Sequence, residues 1–179
     1  SRVLGFQDRS KNQPMTKDSL FRIYSMTKPI VSVAIMMLVE EGKLQISDPV
    51  SKYIPEFKET RVGVEKVGTN GEIILELSAP RRQVTIQDLL RHTSGLTYGS
   101  SGKSLVHKTY IDARIGDRSI DNHEFARRVA ALPLRFSPGS QWEYGVSTDV
   151  LGRVVEVVTG KTLGDVLSEK IFVPLDMKD

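Results

Sequence analysis

Leu20-Phe21-Arg22-Ile23-Tyr24-Ser25-Met26-Thr27-Lys28-Pro29 leads directly into Ile30-Val31-Ser32-Val33-Ala34-Ile35-Met36-Met37-Leu38-Val39-Glu40. Residues three apart share one face of a helix, so the Lys28 amine can reach the Ser25 hydroxyl if a helix starts here. A helix mouth also offers unpaired N–H donors and partial positive charge, which favour a developing anion and a neutral lysine. Lysine works as a base near neutral pH when burial or cationic neighbours lower its pKa. The apolar run reads as a core helix, with Pro29 tolerated in its first turn and Gly42 placed to end it. Leu20 to Tyr24 reads as a short β-prone segment after the turn-like Asp8 to Pro14 region. The competing reading of Ser25 is an ordinary N-cap serine, with Lys28 pointing to water.

Ser-x-x-Lys alone is weakly specific, since Ser100-Ser101-Gly102-Lys103 matches it too. That copy lies among Thr97, Gly99 and Gly102 and reads as a solvated loop.

At 179 residues, with 39% hydrophobic and 26% charged residues, the chain is a globular protein of one domain or parts of two. Lys28 and Glu40 bracket the longest apolar stretch, too short for a membrane span. The lack of cysteine excludes disulfides, thiolate metal sites and a cysteine nucleophile. A net charge of +3 with scattered basic residues gives no nucleic-acid footprint. Arg2 to Phe6 begins as if mid-strand, and the chain stops at Pro174-Leu175-Asp176-Met177-Lys178-Asp179 without a closing element. Both ends suggest a piece of a longer protein, so the missing targeting segment is uninformative. A cytoplasmic location is the expectation, with a periplasmic or secreted one as the alternative.

Downstream, Ile46 to Pro55 reads as a turn or short helix. Val62–Val67 and Glu72–Leu77 read as a hairpin around Thr69-Asn70-Gly71. Thr85 and Asp88 form a capping box opening a helix. Thr97 to Ser119 reads as one long polar loop. Asn122–Leu132 is an amphipathic helix with Phe125, Val129 and Leu132 on one face. A helix capped by Ser147 or Thr148 runs to Val158 with Gly160 as its stop, and Leu163–Ile171 is another. Gly102-Lys103-Ser104 and Gly160-Lys161-Thr162 lack the upstream glycine of a phosphate-binding loop, since Thr97 and Val155 stand there. His92, His107 and His123 lack zinc spacing, so no metal or other cofactor is expected. No Gly-x-Ser-x-Gly elbow exists, and His92 reads as part of a helix-ending turn rather than a catalytic base.

Several segments then align in the order of one family. Ser25-Met26-Thr27-Lys28-Pro29 resembles the nucleophile motif of class C serine β-lactamases, penicillin-binding proteins and family VIII carboxylesterases. Leu89-Leu90-Arg91-His92-Thr93-Ser94-Gly95-Leu96 is similar to their shared helix-and-turn segment. Pro138-Gly139-Ser140-Gln141-Trp142-Glu143-Tyr144 resembles the approach to their catalytic tyrosine, Asp149 to Glu156 the esterase branch, and Pro174-Leu175-Asp176-Met177 their Pro-Leu-Gly-Met. Two departures stand out. Tyr144-Gly145-Val146 replaces Tyr-x-Asn, removing an amide that could bond a lactam substrate or hold the lysine. The family's third motif, on a sheet-edge strand, would lie beyond Asp179.

The resemblance implies an α/β plus all-α fold of the β-lactamase and D,D-peptidase type: an antiparallel sheet flanked by helices, with a mostly helical domain. Residues 1–45 would be part of the α/β domain carrying the nucleophile helix. Residues 46–179 would be the helical domain with a hairpin insertion near 61–80, the remaining α/β domain following residue 179. It implies Ser25 as nucleophile, Lys28 and Tyr144 as shared bases, and the Ser25 N–H as one oxyanion donor. Trp142 would pack under Tyr144 or wall the pocket, the former preferred, and Val146 would contact substrate. The implied activity is hydrolysis of small short-chain carboxylic esters through an acyl-enzyme, with weak β-lactam hydrolysis as a side activity. Amide hydrolysis by a β-lactamase or D,D-peptidase is one alternative, and a non-catalytic ligand-binding module another. With only half an oxyanion hole, the isolated 179-residue chain is expected to be inactive.

Overall fold

The computed structural model describes residues 2–117 and 119–178. Its core is built around a 14-residue helix, α1 (Thr27–Glu40), in which Val31, Ala34, Ile35 and Leu38 are buried. Their i, i+3, i+4, i+7 spacing makes one apolar stripe. That stripe packs on α5 (Ser147–Thr159), which buries Val150, Leu151, Val154 and Val155. The expectation of a helix buried all round is corrected, since Val33 and Met36 are exposed. Leu20 to Ile23 form no strand and stay exposed; the strands near this end are β1 (Phe6–Asp8) and β2 (Gln13–Pro14).

The hairpin forms as expected: β3 (Val62–Val67) pairs antiparallel with β4 (Ile73–Ser78), from Val62↔Ser78 to Val67↔Ile73. Ile46 to Pro55 becomes a turn and a 3-10 helix over Val50–Lys52, and a second 3-10 helix covers Pro55–Glu59.

The capping box is present in α2 (Ile86–Arg91), where the Thr85 side chain accepts from the Asp88 N–H and the Asp88 carboxylate accepts from the Thr85 N–H. Asp88 also accepts two hydrogen bonds from Arg82, at 2.5 and 2.8 Å, and one from Thr93 Oγ1. This satisfies a carboxylate that is nearly fully buried.

The single long loop expected over Thr97 to Ser119 is corrected. It contains α3 (Leu105–Asp112), capped by Ser104, with Val106 and Tyr110 in the core. Flanking glycines and serines masked the i, i+4 pair of Val106 and Tyr110. Arg118, within that stretch, lies outside the described residues.

Helix α4 (Asn122–Ala130) is capped by Asp121 and buries Ala126, Val129 and Ala130, with Phe125 and Leu132 only partly buried. For α5 the expected hydroxyl cap is corrected. Val146 occupies the cap position, and the buried Ser147 hydroxyl bonds to Ser94 Oγ at 2.9 Å. Gly160 ends α5 at φ +69°, a left-handed conformation that costs glycine least. Leu163–Ile171 is not one α-helix: α6 (Leu163–Leu167), capped by Thr162, passes into a π-turn over Ser168–Phe172.

Candidate active site

A 3-10 turn over Tyr24–Met26 precedes α1, so Ser25 stands just before the helix, and no side chain caps α1. Tyr24 carries φ +43°, a left-handed backbone unusual for an aromatic residue. Such local strain is found where a functional side chain must be held out from the chain. Freed from capping, Ser25 Oγ lies 3.3 Å from Lys28 Nζ and 2.6 Å from Tyr144 Oη. Among the described residues no acceptor takes the Ser25 N–H, which leaves that donor available to an oxyanion.

Tyr144 arrives from the other side of the sequence because of a backbone contact. A Cβ at Gly145 would lie 2.5 Å from the Leu96 carbonyl oxygen and 2.7 Å from Thr97 Cα. Only glycine lets the two segments lie this close. The contact sets Tyr144 and Tyr98 side by side, ring centroids 5.7 Å apart. Tyr98 Oη accepts from Lys28 Nζ at 3.0 Å, and Lys28 Nζ is 4.7 Å from the Tyr144 ring centroid. Tyr98 was not singled out in the sequence, where it fell within an apparent polar loop; its place directly after the Leu89–Leu96 segment was the one available signal.

The electrostatics differ at the two candidate bases. Burial pulls Lys28 down, but its hydrogen bonds and charge interactions with Tyr144 and Tyr98 outweigh this, and its pKa sits above the ordinary lysine value. The expected depressed lysine is thereby corrected. Tyr144 is the depressed group, lowered first by the Lys28 ammonium and then by the Ser25 hydroxyl. A cationic lysine beside an acidified phenol makes Tyr144 the better proton acceptor.

His92 closes α2 in the left-handed conformation, φ +56°, as the turn reading expected. Its ring also packs 5.0 Å from the Tyr144 ring. Burial first, and the Lys28 charge second, hold its pKa below the usual value, so a neutral imidazole supports the phenol.

Trp142 is 66% exposed, which corrects the preference for an indole packed beneath the tyrosine. It stacks beside Tyr144 at 6.3 Å and walls a cavity of about 670 Å³ that Tyr98 and Tyr144 also line. Val146, expected to contact substrate, is 3% exposed and belongs to the hydrophobic core. The Ser100–Lys103 copy forms a turn beside the same cavity, as the loop reading expected, although α3 follows it two residues later.

A second, smaller cavity of about 250 Å³ lies behind the lysine, lined by Lys28, Asn122 and Asp149 among others. Asp149 is open to solvent through it, yet the protein around the carboxyl raises its pKa, with Lys28 opposing. As the first-turn acid of α5, Asp149 reads in sequence as a helix-dipole residue, which hid its position beside Lys28.

Residues 1–179 match the family model described as Beta-lactamase. The chain is 39% identical over 180 residues to "Esterase EstB" of Burkholderia gladioli, covering 99% of this chain and 42% of that protein. Among solved structures it is similar to "EstCE1, a hydrolase with promiscuous acyltransferase activity", with TM-score 0.77, 30% identity, and 97% and 42% of the two chains covered. It is also similar to "penicillin binding protein from Bacillus halodurans", with TM-score 0.67, 26% identity, and 95% and 46% covered. The chain therefore spans about two-fifths of the length of such relatives, and its helices and two small antiparallel sheets are part of their fold. On the match across its length and on these likenesses, the chain belongs to the beta-lactamase family.

Proposed function

We propose that this chain carries the nucleophile-bearing part of a serine hydrolase that cleaves small carboxylic esters through an acyl-Ser25 intermediate. The observation that carries the reading is the convergence of Tyr144 Oη and Lys28 Nζ on Ser25 Oγ, at 2.6 and 3.3 Å. The Tyr144 phenolate, stabilised by protonated Lys28, takes the Ser25 proton as Oγ attacks the ester carbonyl. The carbonyl π-pair moves onto oxygen, where the Ser25 N–H is one donor. As the intermediate collapses, the carbon–oxygen bond to the alcohol breaks and Tyr144 protonates the departing alkoxide. Tyr144 then deprotonates a water, which attacks the acyl carbon, and the proton returns to Ser25 Oγ as the acid leaves.

Esters are favoured over amides by the esterase relatives. The test is turnover by the full-length protein of a short-chain nitrophenyl ester against a chromogenic cephalosporin. Faster turnover of the cephalosporin would replace this reading with the β-lactamase or D,D-peptidase one. A fluorophosphonate probe should label the folded protein and fail to label Ser25→Ala. No labelling of folded protein would leave a non-catalytic ligand-binding module.

A further inference from the structure

His107, on α3, is buried at 5% exposure and joins that helix to the segment carrying Tyr144. Its Nε2 lies 2.9 Å from Glu143 Oε1, and Glu143 directly precedes Tyr144. A carboxylate only accepts, so the imidazole donates here. The ring is not free to turn to another partner. Ser104 Oγ holds its Nδ1 at 2.6 Å, and a Cβ at Gly102 would collide with the imidazole. Glu143 Oε1 also accepts from Ser101 Oγ at 3.3 Å, and that hydroxyl bonds Thr97 Oγ1 at 2.7 Å, next to Tyr98.

A desolvated polar pair is seldom the most stabilising way to fill such a place, since apolar residues of similar size often do as well or better. What the pair adds is one satisfied arrangement, because any other leaves a buried donor or acceptor unmet. Its location says what is being oriented. Two other contacts hold the same segment: the Glu143 N–H donates to the His92 carbonyl at 3.0 Å, and Gly145 lies on the Leu96 and Thr97 backbone. Two contacts to one turn still permit rotation about the line joining them, and that rotation would swing the Tyr144 ring. A third contact, to a different element, stops it.

We infer that His107 and Glu143 form a strut that sets the Tyr144 phenol against Ser25 and Lys28, and that both are positioning residues for the reaction. The inference rests on the ester-hydrolase reading. The hydrogen bonds that join Ser25, Lys28, Tyr98 and Tyr144 involve neither residue, so both act through the backbone that carries the phenol. The demand on that backbone is high, because a displacement of about 1 Å between reacting groups can cost as much as 10²-fold in rate.

The test is Glu143→Ala in the full-length protein, its fold checked by circular dichroism and its turnover of a short-chain nitrophenyl ester followed across pH. Loosening Tyr144 should lower kcat roughly 10- to 100-fold and leave KM within about threefold. The rising limb of the pH profile separates position from charge. Loss of a nearby negative charge would by itself lower the phenol's pKa and move the limb to lower pH. A ring that drifts from the Lys28 ammonium loses the contact that depresses it, so the limb should move to higher pH, towards the usual tyrosine value of 10.0. Glu143→Gln keeps the acceptor and should recover to within about threefold of wild type. His107→Ala breaks the same contact from the other side, should shift the limb the same way, and supplies the readout if Glu143→Ala does not fold. The double variant should be no worse than the worse single, as expected of residues that share one interaction. A limb that stays in place or moves to lower pH in a folded variant, or a Glu143→Gln as slow as Glu143→Ala, would overturn the inference. NMR titration of ring-labelled tyrosine, assigned with Tyr144→Phe, reads the same shift without turnover. Wild type no faster than Ser25→Ala would therefore sink the hydrolase reading, whereas an unmoved Tyr144 titration would sink the strut alone.

Discussion

Tyr144 Oη sits 2.6 Å from Ser25 Oγ across 119 residues of chain, closer than Lys28 Nζ, which is three residues away in sequence. The phenol thus holds the shorter contact to the Ser25 hydroxyl, the proposed nucleophile, and Lys28 lies against both. Tyr144→Phe removes the proton carrier while keeping the ring that packs on His92. It should lower kcat/KM for a nitrophenyl ester by about 10²–10⁴-fold. Circular dichroism should show an unchanged fold, and a loss under tenfold would shift the base role to Lys28.

The pH dependence follows from the two shifts. Tyr144 must be deprotonated to act as base, so activity should rise with pH through a pKa below the usual tyrosine value of 10.0. Lys28 must stay protonated to stabilise the phenolate, so activity should fall again above 10.5, where its raised pKa lies. Tyr98 helps to raise Lys28, and Tyr98→Phe should move the alkaline fall to lower pH. The charge on Asp149 raises Tyr144, so Asp149→Asn should move the rising limb to lower pH. Profiles of kcat/KM for the two variants would check both signs, and limbs that stay put would refute the assignment.

Gly145→Ala would drive a methyl group into the Leu96 carbonyl and Thr97 backbone, neither of which can turn aside as a side-chain end could. A cost of roughly 1–3 kcal/mol in urea unfolding is expected. Because the same contact aligns Tyr144 with Tyr98, activity in the protein that remains folded should fall as well.

Asp88 links stability to the site through the turn holding His92 and Thr93. Burial alone would raise its carboxyl, but the hydrogen bonds from Arg82, Thr85 and Thr93 prevail, and its pKa lies below 3.8. A depressed folded pKa means that the stabilisation is fully present above about 4 and is lost as pH falls through the folded value. Denaturation measured at pH 7 and pH 3 should show Asp88→Asn much less stable than wild type at the first and closer to it at the second. An equal deficit at both values would mean that the charge of Asp88 is not what matters.

Much of this molecule is local in origin. The stripe Val31, Ala34, Ile35, Leu38 and the Thr85–Asp88 box each involve residues within two turns of one another. The β3–β4 hairpin, closed by a short turn, and the Gly160 stop are also set by neighbouring sequence. Helical period, capping chemistry and turn chemistry therefore made them legible. Helix α3 was missed because a glycine- and serine-rich stretch, Gly99 to Ser104, leads into it and the polar run His107-Lys108-Thr109 splits its apolar residues Leu105, Val106, Tyr110 and Ile111. The long loop assigned there hid Tyr98 as well.

The sequence by itself determined that Ser25 and Lys28 share the start of one apolar helix, and that a Pro-Gly turn leads into Trp142-Glu143-Tyr144. Only the tertiary structure decided their division of labour. It placed Tyr98 against Lys28, buried Val146 and left Trp142 on a cavity wall. A pKa depends on which charges and dipoles lie within a few ångströms in space. Lys28 is raised rather than lowered because two tyrosines distant in sequence face it, and they do so because glycine at 145 lets two backbones meet.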